Sequence, residues 1–235
     1  MSVEKIAVIG ASRGLGHCFF DIAARPDPES AVTGKVAESG ESSSPRNFIL
    51  VSRRGVEPLS GQNFFNLTLD LSVSKEQERL IRELTKWHAD RVFYFAGGGP
   101  HGAYHAKQWR DHEWSWQVRF VAAARLLHAL MMDTSQIIFI GSNIAGDRPD
   151  PMAASYAAAK HALKGLIESV QAEVPACDVR LYSPGYMDTE LLPRRARPRV
   201  DGHLLADPRD VALDLWQWSE MPHERCKNRC YPERD

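Results

Sequence analysis

The four apolar residues Ile6-Ala7-Val8-Ile9 run straight into Gly10-Ala11-Ser12-Arg13-Gly14-Leu15-Gly16, and the chain beyond them takes up a helical period. A buried strand that turns on glycines into a helix constrains the fold more than any other feature of these 235 residues. It opens a strand-helix-strand unit, whose strands lie parallel and whose helices cover the sheet. The glycines let the backbone turn tightly and approach a ligand. The helix N-terminus offers free N–H donors and the positive end of its dipole, which together suit a pyrophosphate. The spacing is Gly-x-x-x-Gly-x-Gly, not the common Gly-x-Gly-x-x-Gly fingerprint. A tight turn without any ligand is the alternative reading of the same residues.

The alternation continues along the chain. Short β-branched runs predict strands over 5–9, 48–52, 64–69, 91–96, 136–141 and 178–182, with helices over 14–25, 74–88, 107–132, 152–174 and 208–219. Continuous apolar runs such as Phe48-Ile49-Leu50-Val51 and Ile137-Ile138-Phe139-Ile140 suit strands covered on both faces. The expected fold is α/β: one doubly wound parallel sheet of six to seven strands flanked by helices, in a single domain spanning 1–235. Two places break the rhythm. Residues 26–47, rich in Ser, Gly, Glu and Pro, read as a flexible surface insertion, and 53–63 is barely long enough for a parallel crossover.

Composition removes several function classes. The formal net charge is −1, so no global field draws the chain to nucleic acid or anionic lipid. The most apolar helical stretch, 120–132, contains Arg125 and His128, and nothing approaches the roughly 18 apolar residues of a membrane span. The short N-terminal apolar run enters a glycine turn in place of a cleavage site, which points away from export. Cys18, Cys177, Cys226 and Cys230 make no disulfide scaffold and suit a reducing cytoplasm, the expected location. The spacing of Cys226, Cys230 and His223 matches no trusted zinc pattern, and no metal is expected.

Ser52, Arg53 and Arg54 end the second predicted strand. A carboxylate there would bind adenosine ribose hydroxyls, whereas arginine pairs with a 2′-phosphate, so these residues read as an NADP(H) site, with Arg13 able to reach the same phosphate. Further along, Tyr156-Ala157-Ala158-Ala159-Lys160 puts a phenol and an ammonium one helical turn apart. A nearby cation favours the phenolate and makes tyrosine a better acid-base group near neutral pH. Ser142 follows the apolar run 136–141, at the carboxyl edge where ligands sit in such sheets, and its hydroxyl suits a substrate carbonyl.

With these residues in place, the chain resembles the short-chain dehydrogenase/reductase family in its compact form. The resemblance rests on the Gly10, Gly14 and Gly16 turn, Asp70-Leu71, Ala96-Gly97-Gly98, Ser142, Tyr156 with Lys160, and Pro184-Gly185 followed by Thr189. It covers nearly the whole chain. It implies a Rossmann-type fold with NADP(H) held along Ser12, Leu15, Asp70, Leu71, Ala96, Gly97 and Gly98, and with Pro184, Gly185 and Thr189 around the nicotinamide. Tyr156 would be the proton donor, Lys160 would hold the nicotinamide ribose, and Ser142 would steady the carbonyl. The implied activity is NADPH-dependent interconversion of a carbonyl and an alcohol on a small molecule.

Three departures qualify it. Arg119 stands where the family often has an asparagine that supports a proton relay, and arginine accepts no hydrogen bond. A catalytically impaired cofactor-binding sensor or scaffold is therefore the alternative. Ser142 lies fourteen residues before Tyr156 and Asn143 takes the more typical spacing. The family's last strand is missing, with only a short possible substitute in 221–235. The resemblance further implies a substrate lid over 186–205, where Arg194, Arg195, Arg197 and Arg199 either select an anionic substrate or form a solvated loop. It also implies a homodimer or homotetramer built on the two long helices. The aromatic run Tyr104, His105, Trp109, His112, Trp114 and Trp116 either walls the substrate site or packs a helix or subunit contact.

Overall fold

A computed structural model describes residues 3–25, 45–57, 63–146, 151–223 and 227–232. Most of the expected insertion, 26–44, lies outside the described residues, as do 58–62 in the second connection and Cys226.

Each apolar run satisfies its backbone N–H and C=O groups by pairing with neighbours. The strands are β1 (Glu4–Ile9), β2 (Arg46–Ser52), β3 (Phe64–Thr68), β4 (Arg91–Tyr94), β5 (Gln136–Ile140), β6 (Val179–Pro184) and β7 (Asn228–Tyr231). They form one parallel sheet in the order β3-β2-β1-β4-β5-β6-β7. The helices are α1 (Gly14–Ala23), α2 (Ser74–Trp87), α3 (Trp109–Trp116), α4 (Ala122–Leu130), α5 (Ala154–Glu173), α6 (Arg197–Val200) and α7 (Pro208–Ser219). The chain steps outward from β1 through β2 to β3, then crosses back to lay β4 on the other side of β1. That reversal opens a crevice at the carboxyl ends of β1 and β4, the place where such sheets take ligands.

Both faces of the sheet are covered. On one, Phe19, Phe20, Leu215 and Trp216 of α1 and α7 pack on Ile6, Val8, Phe93 and Ile138; Phe19 stacks within 4.3 Å of Phe93 and 5.9 Å of Trp216. On the other, Leu80 and Leu84 of α2, Leu126 and Leu130 of α4, and Leu163 and Ile167 of α5 pack on Ala7, Val92 and Phe139. The apolar spacing that predicted helices is the spacing of these buried stripes.

The seventh strand lies within 221–235, where the sequence offered a short possible substitute. The Gln171 amide donates to the Val179 and Lys227 carbonyls and to Asn228 Oδ1, and Arg229 forks onto Asp214 at 2.6 and 3.0 Å. Side chains from α5 and α7 thus hold a strand with little hydrophobicity of its own. The long helix expected over 107–132 runs continuously from 109 to 130 and carries, between α3 and α4, a π-helical turn, Gln117–Val121. Its Val118 carbonyl accepts from the buried Tyr94 hydroxyl at 2.5 Å. Such turns recur at functional sites.

Below the sheet, Arg180 is 1% exposed and grips Asp178 with Nε at 2.6 Å and Nη2 at 2.7 Å. It also donates to the carbonyls of Trp218 and Met221, which ties the end of α7 to β6. Burial works to raise the Asp178 carboxyl, but hydrogen bonds from Arg180 and Gln136 and the charges of Arg180 and His223 outweigh it and hold the group below its usual range. A carboxyl depressed in the folded state adds stability that is present above its unfolded value, about 3.9, and is lost as pH falls through the folded value. Asp178→Asn is therefore expected to lower stability at neutral pH and to flatten its decline below about pH 4, as read by chemical unfolding across pH. An unchanged acid limb would contradict this.

Candidate active site

The glycine turn is built where the chain can spare no side chain. Gly10 has φ +95°, and a Cβ on it would lie 2.6 Å from the Ala96 backbone nitrogen; one on Gly16 would lie 2.4 Å from the Gly10 carbonyl oxygen. Only glycine allows these approaches. The Arg13 side chain does not cap α1, and no acidic residue occupies the helix's first turn. Its N–H donors and dipole are thus left facing a cleft.

That cleft, about 420 Å³, runs along the carboxyl ends of the strands. It gathers Gly10, Ser12, Arg13, Gly14, Leu15, Gly16, Ser52, Arg53, Arg54, Asp70, Leu71, Ala96, Gly97, Arg119, Tyr156, Lys160, Pro184, Gly185 and Thr189. Among the residues expected from the sequence, Gly98 and Ser142 are not in its lining. The Gly98 carbonyl accepts from Arg119 Nε at 2.5 Å and Ser115 Oγ at 3.0 Å. Ser142 Oγ accepts from the Ile144 N–H at 3.3 Å and caps a short 3₁₀ turn, Asn143–Ala145.

At one end, Ser52 is 8% exposed and its Oγ is buried without a hydrogen-bond partner. A ligand atom or a water would satisfy such a group. Arg53 and Arg54 are exposed beside it. Asp70 Oδ1 accepts from the Ser72 N–H and hydroxyl at 2.9 and 2.8 Å, which shapes the turn after β3.

At the other end, Arg119 and Lys160 are 3% and 7% exposed and flank Tyr156. The Arg119 guanidinium lies 4.3 Å from the centre of the Tyr156 ring and Lys160 Nζ lies 5.7 Å from it. Lys160 also donates to the Ile140 carbonyl. Burial brings Arg119 down to about 10, against the opposing influence of Tyr156 and Tyr94. Burial, then the charge of Arg119, pushes Lys160 well below its ordinary value. Burial raises the Tyr94 hydroxyl and keeps it a donor.

The sequence leaves Trp114 open between substrate wall and helix packing, does not single out Val118, and places Glu190 and Leu191 only within the expected lid. All four line the cleft. The signal for Trp114 and Val118 is the four-residue spacing between them, one helical turn. Glu190 and Leu191 follow Thr189 in the chain, and Glu190 lies 3.6 Å from Arg13 across the cleft mouth. Among the described residues, no group of three or more His, Cys, Asp or Glu side chains is placed to hold a metal ion. No helix among them is long and apolar enough to cross a membrane.

The family model for short chain dehydrogenase matches residues 4–199. The chain belongs to the short chain dehydrogenase family. Solved structures agree in fold. An alcohol dehydrogenase from the archaeon Thermococcus sibiricus, complexed with 5-hydroxy-NADP, superposes with TM-score 0.75 at 18% identity, over 100% of this chain and 99% of that one. A short-chain dehydrogenase from Sphingobium yanoikuyae in complex with NADPH gives 0.80 at 17%, over 99% and 89%. The bulky-bulky ketone specific alcohol dehydrogenase from Comamonas testosteroni gives 0.78 at 15%, over 100% and 88%. No curated protein matches the chain.

Within this dehydrogenase fold, the charge of Arg119 bears directly on Lys160. Arg119→Met is expected to raise the Lys160 titration, followed by NMR of the lysine side chain. An unmoved titration would contradict the coupling.

Proposed function

We propose that the chain is an NADP(H)-dependent oxidoreductase that interconverts a carbonyl and an alcohol on a small molecule, with Tyr156 as the proton donor. The observation that carries this reading is Tyr156 at the cleft beside two buried basic side chains, Arg119 and Lys160. The residues present fit the cofactor. The uncapped α1 N-terminus and the Gly10–Gly16 cradle suit a pyrophosphate, and the unpartnered Ser52 hydroxyl with Arg13, Arg53 and Arg54 suits a 2′-phosphate. The 5-hydroxy-NADP and NADPH named with two of the structural neighbours support the choice of cofactor.

The bound nicotinamide supplies or accepts the hydride. Tyr156 gives its phenolic proton to the carbonyl oxygen, and the Arg119 guanidinium stabilises the charge left on the phenol. Arg119 has donors only and receives no proton. Lys160 is the group able to relay one: as an ammonium it returns a proton to the Tyr156 phenolate, and its neutral amine, which burial and Arg119 favour, takes that proton back when the alcohol is oxidised. Asp70 and Leu71 would border the adenine, Ala96 to Gly98 would run beside the cofactor, and Pro184, Gly185 and Thr189 would enclose the nicotinamide. Ser142 steadies the carbonyl: a hydroxyl that accepts from Ile144 still has its own proton to donate.

Residues 186–205 form the lid. Arg199 is committed to Asp188 and to the carbonyls of Thr189 and Leu192. A preference for an anionic substrate therefore rests on the exposed Arg194, Arg195 and Arg197. Assembly as a homodimer or homotetramer through the helices 109–130 and α5 is part of the same reading.

NADPH oxidation against a carbonyl panel tests the proposal. Tyr156→Phe is expected to lose about 10²- to 10⁴-fold in turnover while still binding NADPH. Undiminished turnover overturns the assignment. NADPH binding with no turnover on any carbonyl makes the protein a sensor or scaffold instead.

A further inference from the structure

We propose that Trp114 is a positioning residue for the 2′-phosphate, holding the Arg53 guanidinium at the adenosine end of the cleft. The inference rests on the NADP(H) reading above. Arg53 follows β2, is exposed, and makes no ion pair among the described residues. Its guanidinium carbon lies 5.1 Å from the centre of the Trp114 ring. A guanidinium on an aromatic face keeps its N–H edge free for bidentate pairing with a phosphate. The stack therefore places the charge without using up its donors. Arg54 has no such platform among the described residues.

The platform is itself fixed. The indole edge lies against Gly98, where a Cβ would come within 2.5 Å of the ring. The Gly98 carbonyl is held in turn by Ser115 Oγ and Arg119 Nε. Trp114 thus rests on the segment that also anchors Arg119. A free arginine side chain loses much rotamer freedom when it binds a phosphate, and an arginine already stacked loses less. The gain falls on ligands that carry the 2′-phosphate and not on those without it.

Dissociation constants for NADP⁺ and NAD⁺, measured by titration calorimetry on the whole protein, test this. The quantity read is the ratio of the NAD⁺ constant to the NADP⁺ constant. Trp114→Leu is expected to lower it about two- to five-fold, the scale of an exposed cation–π contact. Trp114→Phe keeps a ring under Arg53 and is expected to retain most of the ratio. In an Arg53→Ala background, Trp114→Leu is expected to change the ratio no further. Equal weakening of both cofactors, or a fall that persists without Arg53, overturns the proposal and leaves Trp114 a packing residue. Should the leucine variant not fold, Trp114→Met is read in the same way. If the unmodified protein fails to prefer NADP⁺, the cofactor reading itself fails. A normal preference that falls with Arg53→Ala but not with Trp114→Leu removes only the role of Trp114.

Discussion

The close approach of Gly10 to Ala96 is the constraint on which the rest of the molecule depends. Gly10 N–H donates to the Val51 carbonyl at 2.7 Å, and Phe95 N–H donates to Ile9 at 2.7 Å. The ends of β1, β2 and β4 are thereby pinned together just where the chain reverses its order across the sheet. A side chain at position 10 would drive β1 and β4 apart. Without the pinning there is no shared rim, and the glycine turn, the Ser52 hydroxyl and the Tyr156 helix would no longer border one cleft.

The opposite end of the cleft is organised by charge. Two basic side chains, Arg119 and Lys160, are nearly fully buried beside one phenol. Isolated buried cations are costly, and here the cost is offset by directed acceptors, the Gly98 and Ile140 carbonyls, and by the Tyr156 ring face. The near-neutral total of −1 therefore hides a basic interior edge. Attraction for anions is local to the cleft and its mouth.

Much of this was legible in the residues, for physical reasons. Parallel strands buried on both faces must be continuously apolar, so β1, β2 and β5 could be read directly. The glycine turn and the Tyr156–Lys160 spacing are local, and local geometry survives folding. Features set by distant partners were not legible. β7 is exposed or half-buried along its length, and it exists because Gln171 and Asp214 reach it from two helices. The π turn at 117–121 depends on Tyr94 from a strand, and the stacking of Trp114 on Arg53 joins residues that no periodicity links. Ser142 followed its strand as expected, yet its hydroxyl already serves a backbone N–H and is not in the cleft lining.

Transfer of hydride to a carbonyl carbon is tested most directly by isotope. The protein is incubated with NADPH deuterated at nicotinamide C4, each face in turn, and a panel of neutral and anionic ketones and aldehydes, and the products are read by mass spectrometry. Deuterium from one face only, fixed at the new carbinol carbon, is the expected result. Bound NADPH with no deuterium in any product would contradict it.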